Sequence, residues 1–494
     1  MARAALLPFS VSARSLAVVT TVMFAFVIVG AYLNYGVFYA PWKPLPTISR
    51  TWTYEPFNFV SRVVVGWGCV LLALLHLVVY YATPTAAFSS SLLFIGVASS
   101  ACLAVVAAVC TSADSPECLG NQRFHYGFAI AFFLLMDVFM AVIIVRDGVL
   151  PARARPRAPR GVCGALARVV DALAVAAVGL VLADACTDAR GPRLSSLTLA
   201  QFEWLNVSVI FVFMTRIVAT RAPDYGVGLQ CSSPAAAAPD PKPAEKPRGS
   251  AAPAERPTTD DFSVDFSVSA TSLASIVVVE AVLLVGIPYA VSVSRGDVDP
   301  LPYFPELSLL YVYAPGNYFG RLFGTQTALF LAVLLPLFWL SGGASGSLTG
   351  VAGPAGGSRG DRLPLLWGTI TAGCVTAVAL AASLSVSNVE SNVIHAGFVA
   401  VLFTGGTALL ALAALSDPRS VAFAVASVAS KARFLLDPDS DAFNWLELAD
   451  VATGIAWIAL FAWYHATELA GAAFVVFRRD GESVGDPDAS APVL

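Results

Sequence analysis

The sequence predicts an all-α fold: a polytopic integral membrane protein of about 12 transmembrane helices, arranged as two parallel six-helix repeats. Three observations carry that expectation. Only 13% of the 494 residues are charged and 57% are hydrophobic, whereas a soluble domain uses about 25% charged residues to cover its surface. Apolar runs of about 20 residues, enough to cross a hydrocarbon core, recur along the chain. These runs fall into two sets of six on either side of a polar linker.

The first set lies near 15–39, 59–82, 90–110, 124–146, 165–185 and 200–220. The opening run is too long for the apolar stretch of a signal peptide, about 7–15 residues, and reads as a first span. The second set lies near 271–293, 321–341, 365–386, 393–415, 419–436 and 446–475. The run at 419–436 is the shortest and contains Lys431 and Arg433, so it reads either as a span or as an interfacial helix. Residues 222–264 are rich in Pro, Ala, Ser and scattered charge, a composition that cannot bury a core. The units expected are therefore 1–221, a disordered cytoplasmic linker at 222–264, 265–479, and a tail at 480–494.

Basic residues set the orientation, since positive loops stay cytoplasmic. Arg146, Arg153, Arg155, Arg157, Arg160 and Arg168, the linker lysines and arginines, and Arg478 and Arg479 all fall on the side of Arg3 and Arg14. Asp297, Asp299, Glu306, Asp437, Asp439 and Asp441 fall opposite. Both termini are expected in the cytoplasm. A net charge of −4 gives no electrostatic basis for binding nucleic acid. The eight cysteines contain no C-x2-C pair, so no structural metal site and no cofactor are expected. Cys110 and Cys118 bracket one short loop and read either as a disulfide or as two free thiols.

The halves share residues in register. At one constant offset Pro46, Ser49, Tyr54, Pro56, Asn58 and Arg62 match Pro305, Ser308, Tyr313, Pro315, Asn317 and Arg321. "FHYGF" at 124–128 matches "IHAGF" at 394–398, and "FEWL" at 202–205 matches "FNWL" at 443–446. An even number of spans per half makes the copies parallel, related by an axis along the membrane normal. Arg62, His125 and Glu203, with Arg321, His395 and Asn444, all open helices entering from the extracytoplasmic face. Charge there is expensive unless used or paired. Two readings stand: snorkelling arginines with loop-capping histidines, or a site gripping a lipid headgroup through Arg62, Asn58, Ser49, Arg321, Asn317, His395, Asn444 and Glu447.

These motifs resemble the Frag/DRAM/Sfk superfamily of six-span membrane proteins, present here as a tandem copy. The resemblance is strongest to its branch of lipid-remodelling factors acting after GPI attachment. It rests on "LPTIS" at 45–49, the aromatic-x-x-Arg motifs ending at Arg62 and Arg321, His125 and His395, and Glu203 with Trp204. The resemblance implies lipid binding or remodelling at the extracytoplasmic leaflet of Golgi, endomembrane or plasma membrane. It implies membrane lipids and GPI-anchored proteins as partners. In the second half Asn444 replaces Glu203, and Glu447 follows one helical turn later on the same face.

A His and a carboxylate at one membrane surface can serve as base and orienter for a lipid hydroxyl, which singles out His125 and Glu203 as a candidate catalytic pair. No H-x4-D, G-x-S-x-G or H-E-x-x-H motif supports a known acyl-transfer or hydrolytic machinery. The alternative is a six-plus-six secondary transporter of the major-facilitator type, with Asp137, Arg216, Glu280, His465 and Glu468 marking a pathway. Against it, the loop between the second and third spans lacks any basic residue, and the repeated polar positions sit at one surface rather than at the midplane. His76, without a counterpart in the second half, reads as a core residue.

Overall fold

A computed structural model describes residues 5–39, 45–83, 86–109, 122–149, 169–170, 172–174, 176, 199–231, 262–299, 307–312, 315–345, 363–386, 391–416, 418–436, 442–464, 466 and 472–479. Ten of the described helices are long and apolar enough to cross a bilayer, which makes the chain a multi-pass integral membrane protein. The first half runs β1 (Ala5–Ser12), α1 (Ala13–Asn34), a π-helical turn (Tyr35–Tyr39), α2 (Ile48–Thr51), α3 (Phe57–Tyr81), α4 (Ala86–Ala108), α5 (Gln122–Val149), α6 (Leu199–Arg221) and β2 (Tyr225–Cys231). The second runs β3 (Phe262–Ser269), α7 (Ala270–Arg295), α8 (Leu307–Leu310), α9 (Gly316–Ser345), α10 (Leu363–Ser385), α11 (Asn392–Ser416), α12 (Val421–Leu436), α13 (Ala442–Tyr464) and β4 (Ala472–Arg479).

Apolar periodicity explains the long helices. In α1, Leu16, Phe24, Val27 and Ala31 face inward, while Val18, Val22, Phe26, Val29 and Leu33 are about half exposed. A helix that turns large apolar side chains outward as well as inward belongs in lipid, where its backbone groups are satisfied internally. Each half starts its first helix with the same cap: Ser12 Oγ accepts from Ser15 N, and Ser269 Oγ from Ser272 N, both at 3.1 Å.

Two expectations change. The runs flanking the linker are strands, not disordered chain, and the apolar run at 446–475 divides into a helix ending at Tyr464 and a strand from Ala472. The strands form one antiparallel sheet in the order β1-β2-β4-β3. Ser12 faces Gly226, Ser269 faces Ala473, and in the central ladder Gly228 faces Val475. Successive residues Val475, Val476 and Phe477 are all buried, so both faces of β4 are covered. The Tyr225 hydroxyl donates to Tyr81 O at 3.0 Å and ties the sheet to the end of α3. A signal for β1 and β3 lies in the sequence: "FSVSARSLA" at 9–17 and "FSVSATSLA" at 266–274 differ only at Arg14 and Thr271. The expected fifth span at 165–185 lies largely outside the described residues, as do Cys110, Cys118, most of the linker and the tail.

The halves meet through α3 and α9. A Cβ on Gly66 would stand 2.9 Å from Thr325 Oγ1, and the Trp67 indole donates to Thr325 O at 3.0 Å. Small residues let membrane helices approach this closely, so dispersion replaces the missing hydrophobic drive. Gly66→Leu is expected to force α3 and α9 apart and to lower stability by about 1–3 kcal/mol, the usual range for overpacking; thermal melting in detergent measures it.

Candidate functional site

The residues expected at the membrane rim are turned into the protein. Glu203 Oε2 accepts from Ile48 N at 2.8 Å, and the carboxylate also takes the Ser49 N–H and hydroxyl. The neighbouring Trp204 indole donates to Pro46 O at 2.8 Å. Together they clamp the 45–49 loop onto the start of α6, and Thr47 caps α2 by accepting from Arg50 N. In the second half Glu447 Oε2 accepts from Leu307 N at 2.8 Å, and Leu307 is the counterpart of Ile48. Glu447, rather than Asn444, therefore does the work of Glu203. Asn444 is half-buried and makes no hydrogen bond among the described residues. Beside this clamp Tyr311 donates to Leu284 O; burial first, and the charge of Glu447 second, push its phenol well above the usual range.

The histidines act as ties. His125 Nδ1 bonds Val109 O at 2.9 Å, and His395 Nδ1 bonds Val386 O at 2.7 Å and Ser383 O at 3.1 Å. Val109 and Val386 each directly follow the third helix of their half, so each His closes off orphan carbonyls at a helix C-terminus. No hydrogen bond joins His125 to Glu203, and the candidate catalytic pair is not assembled. Arg62, 7% exposed, donates through Nη1 to Ser385 O of the other half at 2.5 Å. Asn58 Oδ1 accepts from Phe59 N, while Asn317 and Arg321 are almost wholly enclosed. Glu203, Glu447, His125, His395 and Arg62 thus tie loops, helix ends and halves together, while neither polar atom of the enclosed Asn317 side chain has a hydrogen-bond partner among the described residues.

Since Gln keeps the acceptor that Ile48 N needs, Glu203→Gln is expected to leave stability within about 1 kcal/mol of wild type. Glu203→Ala strands a buried donor and costs about 1–3 kcal/mol. Chemical denaturation of the two variants checks this, and a catalytic carboxylate would instead lose activity in both.

Polar groups do gather inside the helices. In the first half Asp137 of α5 accepts from Asn206 Nδ2 of α6 at 3.2 Å, both 1% exposed. In the second half the equivalent helices carry a larger network. Lys431 Nζ meets Asp450 Oδ1 at 2.7 Å and Ser427 Oγ at 2.7 Å. Ser427 Oγ donates to Asp450 Oδ1 at 2.7 Å and shares a hydrogen bond with Thr407 Oγ1 at 3.1 Å. Lys431 also lies 5.4 Å from the centre of the Phe403 ring. The short α12 thus turns its lysine inward, which accounts for a charge in an apolar run. Beside this network is a cavity of about 160 Å³, walled by all six described long and short membrane helices of the second half and lined by Ala281, Leu331, Thr376, Gly406, Asp450 and Gly454. A further internal carboxylate, Glu280, accepts from Thr327 at 3.3 Å.

Arg216 is half-buried in α6, and His465 and Glu468 lie outside the described residues. His76 is a buried core residue, 3.4 Å from Ser100 Oγ and edge-on to Phe139. Ser427 and Asp450 were missed by sequence reasoning, and Lys431 registered only as a blemish in a span. The available signal was a lysine and an aspartate in adjacent apolar runs, a pairing that membrane burial makes expensive unless the two meet. Comparison of the chain with protein-family models, curated proteins and solved structures gives no match.

Proposed function

We propose that the chain binds or remodels a membrane lipid, taking its hydrocarbon part into the second six-helix unit and meeting its polar part at Lys431 and Asp450. The observation that carries this reading is the cavity of about 160 Å³ beside the ion pair. A space of about 150 Å³ has room for a molecule the size of benzene, which corresponds to a short length of acyl chain. Asp450 lies in the third turn of α13, about 12 Å from the helix start at 1.5 Å per residue, in the half of the bilayer away from the sheet.

The frame for this reading is a duplicated bundle of twelve spans. Because all four strands share one sheet, an even number of crossings separates β1 from β2 and β3 from β4. Five of the ten long helices lie between each pair, and the spans read at 165–185 and 419–436 make both counts even. Arg14, Arg146, Arg221 and Arg478 lie at the sheet end, which the positive-inside bias makes cytoplasmic. The polar end of the ligand then belongs to the extracytoplasmic leaflet. Two contacts support an axis relating the halves: Gly66 meets its counterpart Thr325, and Gly228 faces Val475, each two residues beyond the matched pairings at Gly226 and Ala473.

The same contacts disfavour a rocking transporter. Such a carrier opens a central path between its halves, whereas here α3 packs on α9 and a continuous β-ladder joins β2 to β4. The resemblance to GPI-remodelling factors supplies the class of lipid, a glycosylphosphatidylinositol anchor. Comparing anchor lipids in cells with and without the protein tests remodelling: altered acyl composition is expected. Unchanged anchors together with solute uptake in proteoliposomes would reverse the assignment.

A further inference from the structure

We infer that Ala281, Gly406 and Gly454 are the size-determining residues of this site, and that the first six-helix unit is a filled copy that takes up no ligand. The inference rests on the lipid-chain reading and deepens it. Register between the units is set by shared contacts, and for α6 and α13 the loop clamp sets it three residues on from the "FEWL"/"FNWL" match. Ser12 and Ser269 cap α1 and α7, and Phe24 and Ala281 follow each cap by the same number of residues. His125 and His395 align α5 with α11, which sets Met136 against Gly406 and Asp137 against Thr407. Glu203 and Glu447, each on the matching loop N–H, align α6 with α13, which sets Asn206 against Asp450 and Ile210 against Gly454.

In the first unit the three positions are full. Phe24, Met136 and Ile210 are 2%, 0% and 0% exposed. Phe24 lies in a notch over Gly68, where an added Cβ would stand 2.6 Å from its ring, and stacks on Phe211 at 4.4 Å. In the second unit Ala281 replaces that ring, and Thr327 stands where Gly68 made room for it. At three positions that border one cavity the second unit thus carries the smaller residue.

The glycines themselves argue against a packing role. A helix gains nothing from interior glycine unless a neighbour needs the space. At Gly66, Gly96 and Gly373 a neighbour does need it, for an added Cβ would lie 2.9 Å or less from another side chain. At Gly454 an added Cβ meets nothing within 4 Å, and at Gly406 it meets only Thr376 Cγ2, at 4.0 Å. Both glycines border the cavity. What they leave free is empty space beside Asp450, Ser427 and Thr376. That space suits a flexible hydrocarbon chain ending in a hydrogen-bonding group, not a hydrated solute.

The test uses the full chain in phosphatidylcholine nanodiscs, with a diazirine-bearing stearic acid as photoprobe and peptide mapping of the adducts. Wild type is expected to label α11 and α13 near Gly406 and Gly454. Gly454→Ile and Gly406→Met are expected to cut that labelling at least fivefold with the melting temperature unchanged or raised, and Gly454→Ala to give an intermediate loss. Phe24→Ala is expected to bring new labelling into the first unit and to lower the melting temperature. Wild type unlabelled at these helices would overturn the lipid-chain reading itself. Labelling that persists in folded Gly454→Ile and Gly454→Ala, or equal labelling of both units in wild type, would overturn the size-determining role while leaving that reading in place.

Discussion

Asp450→Leu is expected to destabilise the protein by about 3 kcal/mol, the low end of the range for removing one partner of a buried ion pair. The substitution leaves Lys431 without a carboxylate, its contacts among the described residues being Ser427 and the face of the Phe403 ring, in a bundle surrounded by lipid. Side-chain exposures of 23% for Lys431 and 12% for Asp450 admit some solvation and keep the cost from the top of that range. Lys431→Met with Asp450→Leu is expected to return to within about 1 kcal/mol of wild type, because the desolvation of both charges is relieved together. Thermal and denaturant unfolding of the two single variants and the double variant closes the cycle. The double variant is the informative protein, being folded but without its polar end. Labelling of α13 by an acyl photoprobe should fall in it. Undiminished labelling would assign the pair to structure alone.

Helix number and place were largely legible because a bilayer imposes one rule on every span: about 20 apolar residues with no unsatisfied backbone. Strands were not legible by that rule. The start of β4, "AAFVVF", is as apolar as the helix before it, so hydropathy ran the two together, and with both faces of the strand covered there is no period-two alternation to separate them. The "FSVS" alternation in β1 and β3 carried that signal in short form. The repeated polar residues were legible in sequence, whereas the partners their side chains take were not. A motif that recurs at a membrane surface reads equally well as a ligand grip or as a tie between a loop and a helix end. The choice depends on where the side chain turns, and Glu203 turns to Ile48 N while His125 turns to Val109 O. The cavity was illegible for another reason. Ala281, Gly406 and Gly454 are ordinary small residues in apolar helices, and their significance emerges only beside Phe24, Met136 and Ile210 in the matched unit.

The distinction between a grip and a tie is decided most sharply at Arg62. As a tie, its guanidinium donates to the Ser385 carbonyl across the junction of the halves and lies 5.8 Å from the Phe59 ring centre. Arg62→Ala then removes a charge-assisted hydrogen bond and strands a carbonyl at the end of α10. The loss is expected to be about 2–3 kcal/mol, as for hydrogen bonds to charged groups. Lys is not an adequate substitute, since a point charge on a flexible stem does not reproduce the planar donor set, so Arg62→Lys should recover only part of the loss. Binding of an acyl photoprobe at Gly454 should be the same in Arg62→Ala as in wild type, measured on the folded fraction. A headgroup grip makes the opposite forecast: a rim arginine freed from phosphate leaves stability nearly unchanged and weakens lipid binding. Melting temperature and probe labelling measured on one preparation separate the two, because the tie moves the first and the grip moves the second.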